Sequence, residues 1–176
     1  MTSFGRERIR ELLHALDLAL ERRQTTADVY LVGGAAIALS FDSARTTRDL
    51  DAVFAPITEV RSAAAEVAKQ FDLPEDWLND AVKGFVPPTT DTQQVVAYES
   101  AHLRVCTASL EHLLAMKIAA ARVEQDRGDL ELLVKALGII TIEQALDIAV
   151  ACLGPGYPIP LRAQYLLDEI LGQSSM

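Results

Sequence analysis

Gly33-Gly34 and Asp49-Leu50-Asp51 are the residues whose types and spacing suit chemistry on a phosphate. Glycine has no Cβ, so its backbone N–H groups can come within hydrogen-bond range of a triphosphate. Aspartates at i and i+2 of a strand project to one side, with Leu50 on the other. Carboxylates crowded this way repel unless a cation lies between them, and Mg²⁺ prefers such oxygens together with those of phosphates. Each half alone also suits an ordinary role: the glycines as any strand-to-helix turn, the aspartates as a solvated strand face.

The elements that must position these residues are legible as patterns. Ile9, Leu12, Leu13, Leu16 and Leu20 fall on one helical stripe and predict an opening helix over 7–21. Residues 29–32 are β-prone and run into the glycine pair, after which 35–40 favour a helix. A polar loop over 42–48 leads to a second strand, 49–54, stopped by Pro56. A helix capped by Thr58 and running to about 70 follows, then a short helix opened by Pro74 that contains Trp77 and Leu78, then strands at 94–97 and 103–107. From Ser109 the pattern is helical throughout: 109–122, 129–137 closed by Gly138, 141–153 and 161–171. The expected fold is α+β. A small mixed sheet with flanking helices occupies 1–108, and a helical C-terminal part follows over 109–176.

With 176 residues, half of them hydrophobic and 23% charged, the chain is long enough to bury a core and is balanced as a soluble globular protein. It begins in an amphipathic helix without an apolar signal core, and no apolar run approaches the roughly 18 residues of a membrane span, so the cytoplasm is the expected compartment. The net charge of −9 argues against a broad basic footprint for nucleic acid. An RNA substrate would need divalent metal or a local patch, for which Arg45, Arg48, Arg122 and Arg127 are candidates. Cys106 and Cys152 lie far apart and are read as buried free thiols, Trp77 is read as core, and His14, His102 and His112 show no ligand spacing.

Together, the glycine pair, the intervening helix and the Asp-x-Asp strand resemble the signature of the DNA polymerase β-like nucleotidyltransferases. Further on, Ser109-Leu-Glu-His-Leu-Leu-Ala-Met-Lys117 and Arg122-Val-Glu-Gln-Asp126-Arg-Gly-Asp129-Leu130 resemble the later motifs of the AbiEii-type group, which includes MenT-like toxins of bacterial toxin–antitoxin systems. The resemblance spans Tyr30 to about Gly138. It implies a pyrophosphate-releasing transferase acting on ATP or another NTP, with Mg²⁺ held by Asp49 and Asp51. Gly33, Gly34, Arg48 and Lys117 would bind the nucleotide, and Asp129, with Asp126 competing for the role, would complete the acidic cluster. Lys117, as a compact point charge, suits triphosphate oxygens. The implied acceptor is a tRNA 3′ end and the implied partner a cognate antitoxin. Two further readings stay open: a minimal nucleotidyltransferase antitoxin that adenylylates a protein, and a non-catalytic nucleotide-binding or interaction module.

Overall fold

A computed structural model describes residues 3–174, which divide into two compact units. The first takes the chain up to Gly84 together with Gln93–Ala108, and the second takes Phe85–Thr92 together with the chain from Ser109 onward.

The first unit is the α+β part. Helix α1 (Arg6–Arg22) buries the predicted stripe, with Ile9, Leu12, Leu13, Leu16 and Leu20 all fully covered. Strand β1 (Ala27–Leu31) leads into α2 (Gly33–Ala36), which loosens at once into a π-type turn, Ile37–Phe41. Strand β2 (Leu50–Ala55), helix α3 (Ile57–Phe71), the two-residue strand β3 (Leu78–Asn79), and strands β4 (Val95–Glu99) and β5 (Leu103–Thr107) complete it. The sheet order is β3-β2-β1-β5-β4. Neighbours β2/β1 and β5/β4 are antiparallel, while β1/β5 and β2/β3 are parallel.

Helices α1 and α3 pack together against the sheet, and alternate residues of the central strands are buried beneath them: Val29 and Leu31, Leu50 and Ala52, Leu103 and Val105. Burying each of these valine and leucine side chains contributes about 1.5–3 kcal/mol. The intervening residues, among them Tyr30, Asp51, Val53 and Cys106, therefore point to the other face of the sheet.

Three expectations are corrected here. Trp77 and Leu78 do not lie in a helix: Leu50 N–H donates to the Trp77 carbonyl (2.7 Å) and Leu78 pairs with Leu50, so sheet pairing overrides the helix-start signal of Pro74. Trp77 is core, with its indole N–H donating to the Ala64 carbonyl (2.9 Å). Thr58 does not cap α3, which starts after Pro56 and has no side-chain cap. Asp49 lies in a bend ahead of β2, so strand alternation governs Asp51 and not Asp49.

The second unit is helical: α4 (Leu110–Ala120), α5 (Val123–Ala136), α6 (Ile142–Leu153) and α7 (Leu161–Ser174). Ser109 caps α4 by accepting the His112 N–H, and Thr141 with Gln144 forms a capping box on α6. Helix α5 starts six residues ahead of the expected 129, because Asp126 reaches back to accept the Arg122 N–H (3.2 Å) and organises the first turn. The segment Phe85–Thr92 is tied to this unit by Asp91, which accepts the Ser109 N–H (2.8 Å), and by Thr89, whose hydroxyl donates to the Cys152 carbonyl (2.9 Å). Among the described residues no helix is long and apolar enough to cross a membrane.

Candidate active site

In the first unit the site is built where β1 ends. Gly33 has φ +61°, a left-handed conformation that side-chain-bearing residues adopt only with strain. Its missing Cβ would stand 3.5 Å from Asp51 Oδ2, so the carboxylate lies against bare backbone. Val32 N–H donates to the Asp51 carbonyl (2.9 Å), which locks the last residue of the β1 side against the strand that carries the acid. At Gly34 the constraint is steric: a Cβ would meet Thr47 Oγ1 at 2.9 Å and Thr47 Cβ at 3.2 Å, with Arg45 Nη2 at 3.9 Å.

Thr47 holds the loop that places the acids. Its backbone pairs with Phe4, which is fully buried, and its hydroxyl donates to the Asp49 carbonyl (3.0 Å). Asp49 and Asp51 are both half-buried, and Arg48, just ahead of them, is exposed. Helix α2 is only four residues long before the π turn, so its dipole is weak. The π turn is secured by a hydrogen bond between the Ser40 and Thr107 hydroxyls (2.6 Å).

The second unit gathers the other predicted residues. Lys117 Nζ donates to Asp126 Oδ1 (2.6 Å) and lies 2.8 Å from Asp129 Oδ2. All three are buried, and Asp126 is the deepest at 1% exposed. Asp126 also accepts the Nε–H (3.3 Å) and Nη2–H (3.4 Å) of Arg122. An ammonium shared by two carboxylates lets three buried ionic groups persist, since each alone would carry a heavy desolvation cost. Arg127 is engaged with Glu131 and Glu169 at 3.8 and 2.9 Å. The structure thus brings Gly33, Gly34 and Asp51 together in one unit, with Asp49 in the adjoining bend, and Lys117, Asp126 and Asp129 together in the other.

Two polar clusters carried no sequence signal, because their members lie far apart along the chain. In the first unit, Asp17 of α1 accepts the Tyr98 and Ser100 hydroxyls, each at 2.7 Å, and Tyr98 Oη lies 3.3 Å from His14 Nδ1. Burial, and then the hydrogen bond to Asp17, push the Tyr98 phenol well above its usual range. In the second, His112 Nδ1 lies 3.3 Å from Ser109 Oγ, 3.6 Å from Asp91 Oδ1 and 3.8 Å from Cys152 Sγ. Burial, followed by the charges of Asp91 and Glu111, pushes the Cys152 thiol up, so it is protonated at neutral pH and inert as a nucleophile. Both cysteines are free and buried, as their spacing indicated.

A family model described as "Nucleotidyltransferase of unknown function (DUF6036)" matches residues 7–147. The chain belongs to this family. No curated protein and no solved structure matches it. The DUF6036 match runs from α1 into α6, so it takes in the glycine pair, the Asp-x-Asp segment and the Lys117 cluster alike. Membership sets the reaction class as nucleotidyl transfer and leaves donor, acceptor and metal to be argued from the site.

Proposed function

We propose that this chain transfers a nucleoside monophosphate from an NTP to an acceptor hydroxyl, in the cytoplasm and with Mg²⁺. The observation that carries this reading is the Asp51 carboxylate lying against the bare backbone of Gly33. That arrangement presents an anion-holding backbone and a cation-holding side chain side by side.

The residues fit the metal. Among the described residues no three His, Cys, Asp or Glu side chains converge as a full ligand set. Mg²⁺ does not require one, since it commonly takes one or two carboxylates and completes its shell with phosphate oxygens and water. Asp51, with Asp49 from the adjoining bend, would supply those carboxylates. When bound, the ion would neutralise charge on the triphosphate and on the departing pyrophosphate.

The chain's own residues do the positioning. Gly33 and Gly34 hold the β- and γ-phosphates by their exposed backbone, and Arg45, close to Gly34, and the exposed Arg48 add positive charge to that end. The acceptor hydroxyl oxygen bonds to the α-phosphorus and the bond from that phosphorus to the bridging oxygen breaks. Pyrophosphate leaves with the electron pair, and the hydroxyl proton passes to water. Lys117, Asp126 and Asp129 are assigned from the AbiEii-type resemblance as a further nucleotide-directed cluster, Lys117 for phosphate oxygens and Asp129 or Asp126 as the third acid.

For the acceptor we favour RNA, with a tRNA 3′ end as the specific candidate and a toxin, controlled by an antitoxin partner, as the corresponding role. The net charge of −9 favours a protein hydroxyl as the second reading, that of an adenylylating antitoxin. Incubating the purified chain with each α-labelled NTP, Mg²⁺ and bacterial lysate separates them. Label in RNA supports the first reading and names the base, label in protein supports the second, and no transfer with any NTP points to a non-catalytic module.

A further inference from the structure

The sheet face that carries Asp51 continues into a cavity of about 450 Å³, of the size that takes a small-molecule ligand. Strand register lays out its floor. Val53 of β2 pairs with Tyr30 of β1, and Tyr30 pairs in turn with Cys106 of β5, so the three side chains form one row across three strands. The next row away from Asp51 is Ala55, Asp28 and Arg104, and Lys83 reaches the cavity from the short helical turn after β3. Arg104 lies 3.7 Å from Glu99, a loose and exposed pair. The cavity therefore offers an aromatic ring and apolar floor, with two cations and one carboxylate at its rim.

Asp51 and Val53 share a face and stand about 7 Å apart along the strand. Gly33 and Gly34 lie on the opposite side of Asp51 from Val53, because β1 runs antiparallel to β2 and reaches the glycines only after passing Asp51. Displacement at phosphorus is in line, with the attacking oxygen entering opposite the leaving group. With the pyrophosphate on the glycines and the α-phosphorus at Asp51, the attacking hydroxyl must come from the side of Val53 and Tyr30. We infer that this cavity is the acceptor subsite and that it takes the terminal nucleotide of a single-stranded RNA, the base stacking on Tyr30 and the phosphate held by Lys83 and Arg104. The inference rests on the reading that Gly33 and Asp51 hold the triphosphate. Stacking of bases on an aromatic ring, with cations beside the phosphate backbone, is a general way for proteins to hold single strands.

The test uses the full chain and two separate binding measurements. A short fluorescein-labelled single-stranded RNA with a free 3′ hydroxyl is followed by anisotropy, and a non-cleavable NTP analogue with Mg²⁺ is followed by calorimetry. Lys83→Glu/Arg104→Glu and Tyr30→Ala should each weaken RNA binding about tenfold, with Tyr30→Phe restoring it, while analogue binding stays unchanged. Circular dichroism confirms that each variant is folded. RNA binding unchanged in these variants, or no RNA binding by the unaltered chain, would overturn the inference. An equal loss of analogue binding would also overturn it and assign the cavity to the NTP base instead. If the analogue does not bind at all, or binds equally to Asp51→Asn, the triphosphate reading itself has failed, and that result is distinct from the RNA outcomes.

Discussion

Thr47 Oγ1 stands 2.9 Å from the point that a Cβ on Gly34 would occupy, and Thr47 Cβ stands 3.2 Å from it. The loop that delivers Asp49 and Asp51 is thus seated directly on the second glycine of the pair. The glycine is required for the fit of the loop.

Gly34→Ala should cost about 1–3 kcal/mol, since a methyl group there forces Thr47 or the loop to move. Thr47→Ala removes the nearer of the two clashing atoms and also the hydroxyl bond to the Asp49 carbonyl. The double variant should therefore be more stable than the sum of the single losses predicts. Urea denaturation of the four proteins checks this, and strict additivity would show that the two residues do not constrain each other.

Lys117→Met should destabilise the chain by about 3–5 kcal/mol, because it leaves Asp126 and Asp129 buried without their shared cation. Replacing all three with apolar residues of similar volume should recover much of that loss. Urea midpoints compare the two proteins. A Lys117→Met chain as stable as the parent would mean that the ion cluster is not closed as described.

Tyr98 supplies a pH signature. Its phenol is raised in the folded chain, so above about pH 10 the unfolded chain loses this proton first and the folded chain retains it. The stability that this group contributes is complete below pH 10 and is lost as the pH rises beyond it. Tyr98→Phe should lower stability at neutral pH by about 0.5–3 kcal/mol, by removing a hydrogen bond to the charged Asp17, and should flatten the decline above pH 10. Thermal melts across pH 8–11 measure both effects, and an unchanged alkaline decline would contradict the assignment.

What the sequence made legible follows from the range of each signal. The stripe of α1, the glycine turn and the helix starts near Ser109 and Thr141 depend on residues within one or two turns of each other, and the structure agrees with them. Leu78 was misplaced because its strand exists only through pairing with Leu50, nearly thirty residues earlier. The seating of Thr47 on Gly34 and the Val53–Tyr30–Cys106 row were invisible for the same reason, since loop packing and strand register are set by the whole sheet. The joining of Lys117 to Asp126 and Asp129 also had no periodic signal, because it turns on the break between α4 and α5 at Ala121, whose φ is +47°.

The most direct test of the central claim is nucleotidyl transfer by Asp51→Asn beside the parent chain, with α-labelled NTP, Mg²⁺ and an acceptor mixture. Asparagine keeps the shape of the side chain and removes the charge that would hold the metal, so folding should be unaffected. Several kcal/mol of lost transition-state stabilisation should cut transfer by about a hundredfold or more. Transfer by Asp51→Asn at the rate of the parent would contradict the assignment of this carboxylate and the site built around it.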